Sequence, residues 1–175
     1  MALSSIPLTI DRETALDEAS RLAYTWRTPR GFWGWLTHVD HRSIGTRYVV
    51  TALVFFLLGG VLASLMRWQL HRPDYHFLNP DLYNQIFTTH GSTMMFLFAV
   101  PVMEGVAIYL VPLMIGTRNV AFPRLNALGY FLFLFGGIFL YVSLFLNSGP
   151  DVGWFAYVPL SGPEFTPGKR ADVWA

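Results

Sequence analysis

A histidine lies inside a long apolar stretch of this chain. His90 is the only one of the five histidines that falls within the three long apolar segments. An imidazole at membrane depth loses hydrogen bonds to water that lipid cannot replace, so it needs a partner in the protein or a metal ion. His90 is therefore the first candidate for chemistry, either as a metal ligand or as a buried hydrogen-bonding group.

Glu104 is the second such side chain in the same segment. It follows His90 by fourteen residues, which in a uniform α-helix leaves the two side chains about 40° apart and about 21 Å apart along the axis. The sequence therefore predicts that they face the same side. An ionised carboxylate at this depth is costly, so Glu104 is either a proton carrier or a neutral structural group. Pro101, between them, predicts a kink that frees a carbonyl near Leu97.

Composition places the chain among membrane proteins. Hydrophobic residues make up 53% of it and charged residues 13%, whereas a soluble domain carries about 25% charged residues. The formal net charge of +1 argues against a nucleic-acid partner. The absence of cysteine excludes disulfides, thiolate metal sites and iron–sulfur clusters in this stretch, and leaves histidine as the soft ligand.

Three segments are long enough to cross a hydrocarbon core of about 30 Å as helices. Residues 48–66 and 125–147 carry no charged side chain, and residues 86–115 contain only His90 and Glu104 at depth. The predicted fold class is an all-α polytopic transmembrane helix bundle. Residues 1–46 form an N-terminal cytoplasmic or interfacial segment, in which residues 11–26 have the spacing of a short surface helix. Residues 47–175 hold three transmembrane helices and the start of a fourth.

Arginines predict the orientation in the membrane. They precede the first span and, without an acidic neighbour, separate the second from the third, which indicates that both regions and the N-terminus are cytoplasmic. The arginines concerned are Arg27, Arg30, Arg42, Arg47, Arg118 and Arg124.

Four runs in one order resemble the N-terminal part of subunit I of the haem-copper terminal oxidases, the cytochrome c oxidase family. They are DHRSIGTRY at 40–48, THG at 89–91, VPLMIG at 111–116 followed by AFPRLN at 121–126, and GWFAYVPL at 153–160. The resemblance extends from Trp35 to Gly162. It implies a roughly twelve-helix subunit, so we expect this chain to be a fragment that is not active alone.

The resemblance also implies roles for individual residues. His90 corresponds to an axial ligand of the low-spin haem, Arg67 to an arginine that contacts a peripheral carbonyl substituent of that haem, and Trp154 to a tryptophan near its propionates. Without the resemblance, Arg67 is as typical of an ordinary interfacial arginine as of a site residue, and Trp154 is better explained as a tryptophan of the aromatic belt at the membrane interface.

The same resemblance points to a proton pathway and to departures from the family pattern, one of which is the acid at Glu104. Asn119 stands where most relatives of the larger subclass carry an aspartate that collects protons, and Gln69 stands where many carry a glutamate for a cation. Asn119, Asn126 and Glu104 are the candidate pathway residues.

The function implied is reduction of oxygen to water with electrons from cytochrome c, coupled to proton translocation. Implied cofactors are the low-spin haem, with haem A as the expected type, and a high-spin haem and copper held by the missing C-terminal part. Implied partners are oxidase subunits II and III, cytochrome c and the lipid bilayer of a bacterial inner or plasma membrane, or an equivalent energy-coupling membrane. The alternatives are a quinol oxidase, a nitric oxide reductase, or a haem-free membrane proton carrier or assembly module.

Overall fold

The computed structural model describes residues 12–25, 27, 31–168 and 170–174, and within them it contains helices and no β-strand. The chain divides into two units, Met1–His38 and Val39–Ala175. The first unit holds α1 (Arg12–Thr25) and α2 (Phe32–Thr37). Helix α1 confirms the predicted surface helix, because residues 12–24 are exposed. Asp11 and Trp26, the ends of the predicted range, lie outside the described residues.

The second unit holds the long helices. They are α3 (His41–Gln69), α4 (Pro80–Ser92), a π-helical segment (Thr93–Ala99), α5 (Val100–Met114) and α6 (Pro123–Phe145), followed by the short α7 (Arg170–Trp174). We refer to Thr93–Ala99 as the π segment. Helix α4, the π segment and α5 follow one another without a break and form one span. With α3 and α6 this gives three helices in the described part that are long and apolar enough to cross a membrane, which confirms the predicted fold class.

The π segment was not predicted from the sequence. The N–H of Val100 bonds to the carbonyl oxygen of Met95, five residues earlier, where an α-helix would use the fourth. Pro101 has no N–H to offer Leu97, so the α-helical pattern cannot pass through this point unchanged. The wider turns alter the angular offset along the span, so the offset of about 40° calculated between His90 and Glu104 for a uniform α-helix does not hold.

Two glycines let α3 and α5 cross closely. A Cβ atom built on Gly45 would lie 2.6 Å from the carbonyl oxygen of Gly105, and one built on Gly105 would lie 2.9 Å from the carbonyl oxygen of Gly45. Small residues at such a crossing allow the backbones to approach, and packing of this kind replaces the hydrophobic effect as the force between membrane helices.

The apolar interior consists of two clusters that share Phe133 on α6. Its ring stacks on Tyr48 at 5.4 Å and meets Phe55 edge-on at 5.8 Å. Aromatic packing therefore holds α6 against α3 along much of its length. One cluster contains Phe55, Leu62, Ile86, Leu97, Tyr141 and Leu144, and the other contains Ile44, Tyr48, Ala127 and Tyr130.

Polar side chains are buried at the N-terminal end of α3. Arg47 has no exposed surface; its Nε donates to the carbonyl oxygen of Ser43 at 3.2 Å and its guanidinium lies 5.2 Å from the centre of the Tyr130 ring. His41 is 3% exposed, and its Nδ1 lies 3.3 Å from Asp40 Oδ1. Arg47 was predicted to be one of the arginines that flank the first span, but it is fully buried.

Candidate functional site

His90 is held in one orientation by a backbone carbonyl on the neighbouring span. Its Nδ1 lies 3.0 Å from the carbonyl oxygen of Gly59 on α3. A carbonyl can only accept, so Nδ1 carries the hydrogen and donates it, which leaves the lone pair on Nε2. No described residue forms a hydrogen bond with Nε2. Metal-binding histidines have this arrangement, since the outer hydrogen bond fixes both the tautomer and the ring plane.

The space at Gly59 is narrow, because a side chain there would press on residues of the π segment. A Cβ atom at Gly59 would lie 3.0 Å from Met94 Sδ and 3.3 Å from Thr93 Cγ2. The adjacent Gly60 has nothing within 4 Å of the same position. The first glycine thus allows the helices to approach closely at His90, while the second has no comparable contact.

Trp154 packs against Gly91, the residue that follows His90 on α4. A Cβ atom on Gly91 would be 2.9 Å from Trp154 Cδ1, so the indole occupies the space above this glycine. The preceding N–H, that of Gly153, donates to Thr88 Oγ1 at 2.8 Å, and Gly153 has a φ of 75° that suits glycine. The structure therefore brings together Trp154 and the helical turn of His90.

Arg67 lies further along α3 from Gly59. It follows Gly59 by two steps of four residues through Ala63, which places it about 12 Å away along the axis. Its side chain is exposed and lines an open groove of about 530 Å³ together with Ala63, Ser64, Trp68 and His71. An exposed cation beside an open groove can interact with a bound group that fills the groove.

Glu104 is not drawn into the packed interior. Its side chain is exposed, whereas the next residue, Gly105, is buried against α3. The carboxylate forms no hydrogen bond or ion pair with any residue that the structure describes.

Asn119 and Asn126 lie near the opposite end of α3 from Arg67. Asn119 Nδ2 donates to the carbonyl oxygen of Val39 at 3.2 Å, and its Oδ1 accepts from the N–H groups of His41 at 3.1 Å and Val120 at 2.9 Å. Both ends of this amide are thus used to fasten the start of α3. Asn126 differs, because its Nδ2 is buried without a hydrogen-bond partner among the described residues.

Gln69 closes the segment that follows α3. Its Oε1 accepts from the N–H of Leu78 at 2.7 Å, and its Nε2 donates to the carbonyl oxygen of Tyr75. The amide therefore bridges the turn internally, and both of its ends are occupied by backbone groups.

A family model decides the relationship of the chain to known proteins. The model described as Cytochrome C and Quinol oxidase polypeptide I matches residues 43–174. The chain belongs to this family. The matched range includes every candidate residue, from Arg67 and His90 to Trp154, and the predicted resemblance is confirmed.

Individual relatives agree with the family. The cytochrome c oxidase subunit 1 of Bacillus subtilis is 48% identical over 141 residues, covering 79% of this chain and 23% of the relative. That of Alkalihalophilus pseudofirmus is 47% identical, covering 76% and 21%. The haem-copper oxidase subunit I+III of Aeropyrum pernix is 47% identical, covering 82% and 18%. The chain thus spans about a quarter or less of the length of these relatives.

The groups that fix the candidate side chains were not predicted from the sequence. Gly59 acts through its carbonyl oxygen, and Gly91 acts by lacking a side chain, so neither residue type indicates a site by itself. The buried His41 was counted with the flank of the first span. The only available signal for Gly59 was its place in a pair of glycines in the middle of an apolar helix, a position that weakens the helix by about 1 kcal/mol per glycine relative to alanine unless close packing requires it.

Proposed function

We propose that this chain is the N-terminal part of the catalytic subunit of a respiratory terminal oxidase, in which His90 supplies one axial ligand of a low-spin haem. The observation that carries this proposal is the bond from His90 Nδ1 to the carbonyl oxygen of Gly59, which leaves Nε2 available to a metal. Membership of the oxidase polypeptide I family supports the same assignment.

The residues present fit a haem better than a bare metal ion. No group of three or more histidines, cysteines, aspartates or glutamates in the described part could hold a metal. A single histidine is sufficient when the metal brings four nitrogen ligands of its own, as haem iron does. Such a haem, once bound, supplies a reversible one-electron carrier. A second ligand to the iron would come from the part of the protein beyond this chain.

The surrounding residues then have distinct tasks. Gly59 keeps His90 in the tautomer that leaves Nε2 free, and Trp154 covers the backbone beside His90 at Gly91. Arg67 places a positive charge on the groove side of α3. A fixed cation stabilises an added electron and raises the reduction potential of a nearby haem. For the haem type we propose haem A, with Arg67 at its peripheral carbonyl substituent and Trp154 near its propionates.

In the whole protein, we infer that electrons from cytochrome c reduce oxygen to water and that this is coupled to proton translocation. The high-spin haem and copper are then held by the part that this chain lacks. Oxidase subunits II and III are the expected partners, and the relative named as subunit I+III supports the second of them. The complex is expected in a bacterial inner or plasma membrane, or an equivalent energy-coupling membrane, with the N-terminus of this chain cytoplasmic.

For the protons, the candidate groups are Asn126 and Glu104. Asn126 offers a buried amide N–H without a partner, which a water molecule can use. Glu104 is the only carboxyl in the middle of the three spans. Asn119 cannot ionise, and its amide already has three hydrogen bonds, so we propose that it fastens α3 and does not itself collect protons.

A quinol-oxidising enzyme is the second candidate, because the family description names quinol oxidases beside cytochrome c oxidases. Reduced-minus-oxidised optical spectra of the full-length complex, together with oxygen uptake from reduced cytochrome c and from a quinol, separate the possibilities. A low-spin haem band with uptake from cytochrome c is expected. Uptake from quinol alone would support the second candidate, and nitric oxide reduction without oxygen uptake would support a nitric oxide reductase. A complex without any haem band would overturn the oxidase proposal in favour of a proton carrier or assembly module.

A further inference from the structure

On one face of α4, successive helical turns form hydrogen bonds with residues that come after α6. Asp81, Gln85 and Thr88 lie on this face, since they follow one another at steps of four and three residues. Gln85 has no exposed surface; its Nε2 donates to Asn147 Oδ1 at 3.0 Å and its Oε1 accepts from the N–H of Gly149 at 3.0 Å. One turn later, Thr88 Oγ1 accepts from the N–H of Gly153.

Because of these contacts, segment 147–154 runs along α4 toward His90. The bonded positions advance from 147 and 149 at Gln85 to 153 at Thr88, and the next residue, Trp154, lies over Gly91. His90 follows Thr88 by two residues, so its side chain leaves α4 about 200° away from this face. The helical turn that carries His90 is therefore held from two sides, by Gly59 on α3 and by segment 147–154.

Arg170 closes this arrangement at the beginning of α4. Its two terminal nitrogens bond to Asp81, one of them to Oδ2 at 3.1 Å, and it also bonds to Asp151 Oδ2 at 3.1 Å. Its side chain is 25% exposed and that of Asp151 is 17% exposed. The hydrogen bonds with Asp81 and with Asp151 raise the pKa of Arg170 above its usual value. We call Asp81, Gln85, Thr88 and Arg170 the clamp.

We propose that Gln85, Thr88 and Arg170 are positioning residues for the His90 site, which they serve by holding Trp154 against Gly91. The inference rests on the proposed function, because the haem reports the position of Trp154. Removing a clamp side chain leaves a partly or fully buried N–H or carboxylate without a partner, and segment 147–154 then opens more readily to solvent.

The test uses the full-length subunit in its assembled complex and two readouts. Hydrogen exchange of the backbone amides within 149–154, where only Pro150 lacks an N–H, reports the clamp directly, and the low-spin haem band and its potential report the site. Thr88→Val keeps the size of the side chain and removes only the acceptor for Gly153. Arg170→Met removes both ion pairs, and Arg170→Lys restores part of them. Arg72→Met, which changes an exposed arginine between α3 and α4, is the matched control.

We expect Thr88→Val and Arg170→Met to raise exchange at 149–154 by about tenfold or more, to shift the haem band and potential, and to keep haem bound. Arg170→Lys should reverse part of both effects, and Arg72→Met should produce neither. Unchanged exchange in both variants would overturn the clamp, and faster exchange with an unchanged haem band would overturn its positioning role. Absence of haem from the unaltered complex would instead overturn the proposed function, since the exchange readout does not depend on haem.

Discussion

The Nδ1 atom of His90 and the carbonyl oxygen of Gly59 lie 3.0 Å apart and join two spans across 31 positions of sequence. A typical hydrogen bond contributes only about 1 kcal/mol to stability, so the main effect of this bond is on the orientation of His90. It selects one imidazole tautomer and fixes the ring plane. A glycine at position 59 favours this approach, because a side chain there would press on Met94 and Thr93 of the π segment.

A pair of adjacent glycines therefore offers a sharp test of the contact. Gly59→Ala introduces a Cβ atom 3.0 Å from Met94 Sδ, so Met94 or the helix must shift by a few tenths of an ångström, and the low-spin haem band should shift or broaden. Gly60→Ala meets nothing within 4 Å and should leave the band unchanged while stabilising α3 by about 0.5–1 kcal/mol. Optical spectra and thermal unfolding of both complexes check this. Identical effects of the two variants would contradict the contact.

Arg67 should raise the potential of the low-spin haem. Replacing Arg67 with Met removes one positive charge from the groove side of α3. If that charge contributes about 2 kcal/mol to the reduced form, the potential falls by about 100 mV, since 59 mV corresponds to a tenfold change for one electron. Redox titration of the haem band measures the shift, with Arg72→Met as the control. A potential that stays within experimental error of the unaltered protein would return Arg67 to the role of an interfacial arginine.

If Asn119 stood only in place of a proton-collecting aspartate, Asn119→Asp would raise proton uptake. The hydrogen bonds of Asn119 predict a loss of stability instead. Asn119→Asp should destabilise the protein by about 1–3 kcal/mol, because a carboxylate oxygen would face the carbonyl oxygen of Val39 in place of the donating Nδ2. Asn84→Asp, at an exposed asparagine on α4, is the matched control. Thermal unfolding in detergent compares the two. An aspartate at 119 that raises proton uptake without lowering the melting temperature would show that the position is poised for proton collection.

The helices were largely predictable because membrane spans are set by a simple physical requirement. Every backbone polar group must be satisfied inside the bilayer, so long apolar runs become helices. Apolar runs at 48–66 and 125–147 predicted two spans, and α6 begins and ends two residues before the predicted bounds. Helix α3 begins earlier, at His41, because the side chain of Asn119 accepts the His41 N–H from 78 positions away, and no local pattern contains that information.

The candidate site was predictable only as a set of residue types. His90 is conspicuous because an imidazole is out of place in an apolar run, and Trp154 was found through the resemblance. Their supports were not predictable. Gly59 contributes a carbonyl, Gly91 contributes space, and the π segment changes the helical phase. The effect of Pro101 was expected as a kink near Leu97, whereas the observed feature is a run of wider turns that ends just before the proline.

Glu104 remains the proposed proton carrier. Because its side chain is exposed and bonds to no described residue, replacing it breaks no hydrogen bond in the described part. Glu104→Gln keeps the size of the side chain and removes the exchangeable acid, so turnover and proton uptake of the full complex should fall together. Glu164→Gln, at an exposed acid outside the spans, is the control. Normal turnover with normal pumping stoichiometry in Glu104→Gln would indicate that the carboxyl is structural and that protons enter elsewhere.

Ligation of the haem iron by His90 is the central claim, and the low-spin ferric electron paramagnetic resonance signal of the full-length complex tests it most directly. His90→Ala should abolish this signal together with oxygen uptake. His76→Ala, at an exposed histidine between α3 and α4, should preserve both. A complex with alanine at position 90 that keeps an unaltered low-spin signal would contradict the assignment of His90 as an axial ligand.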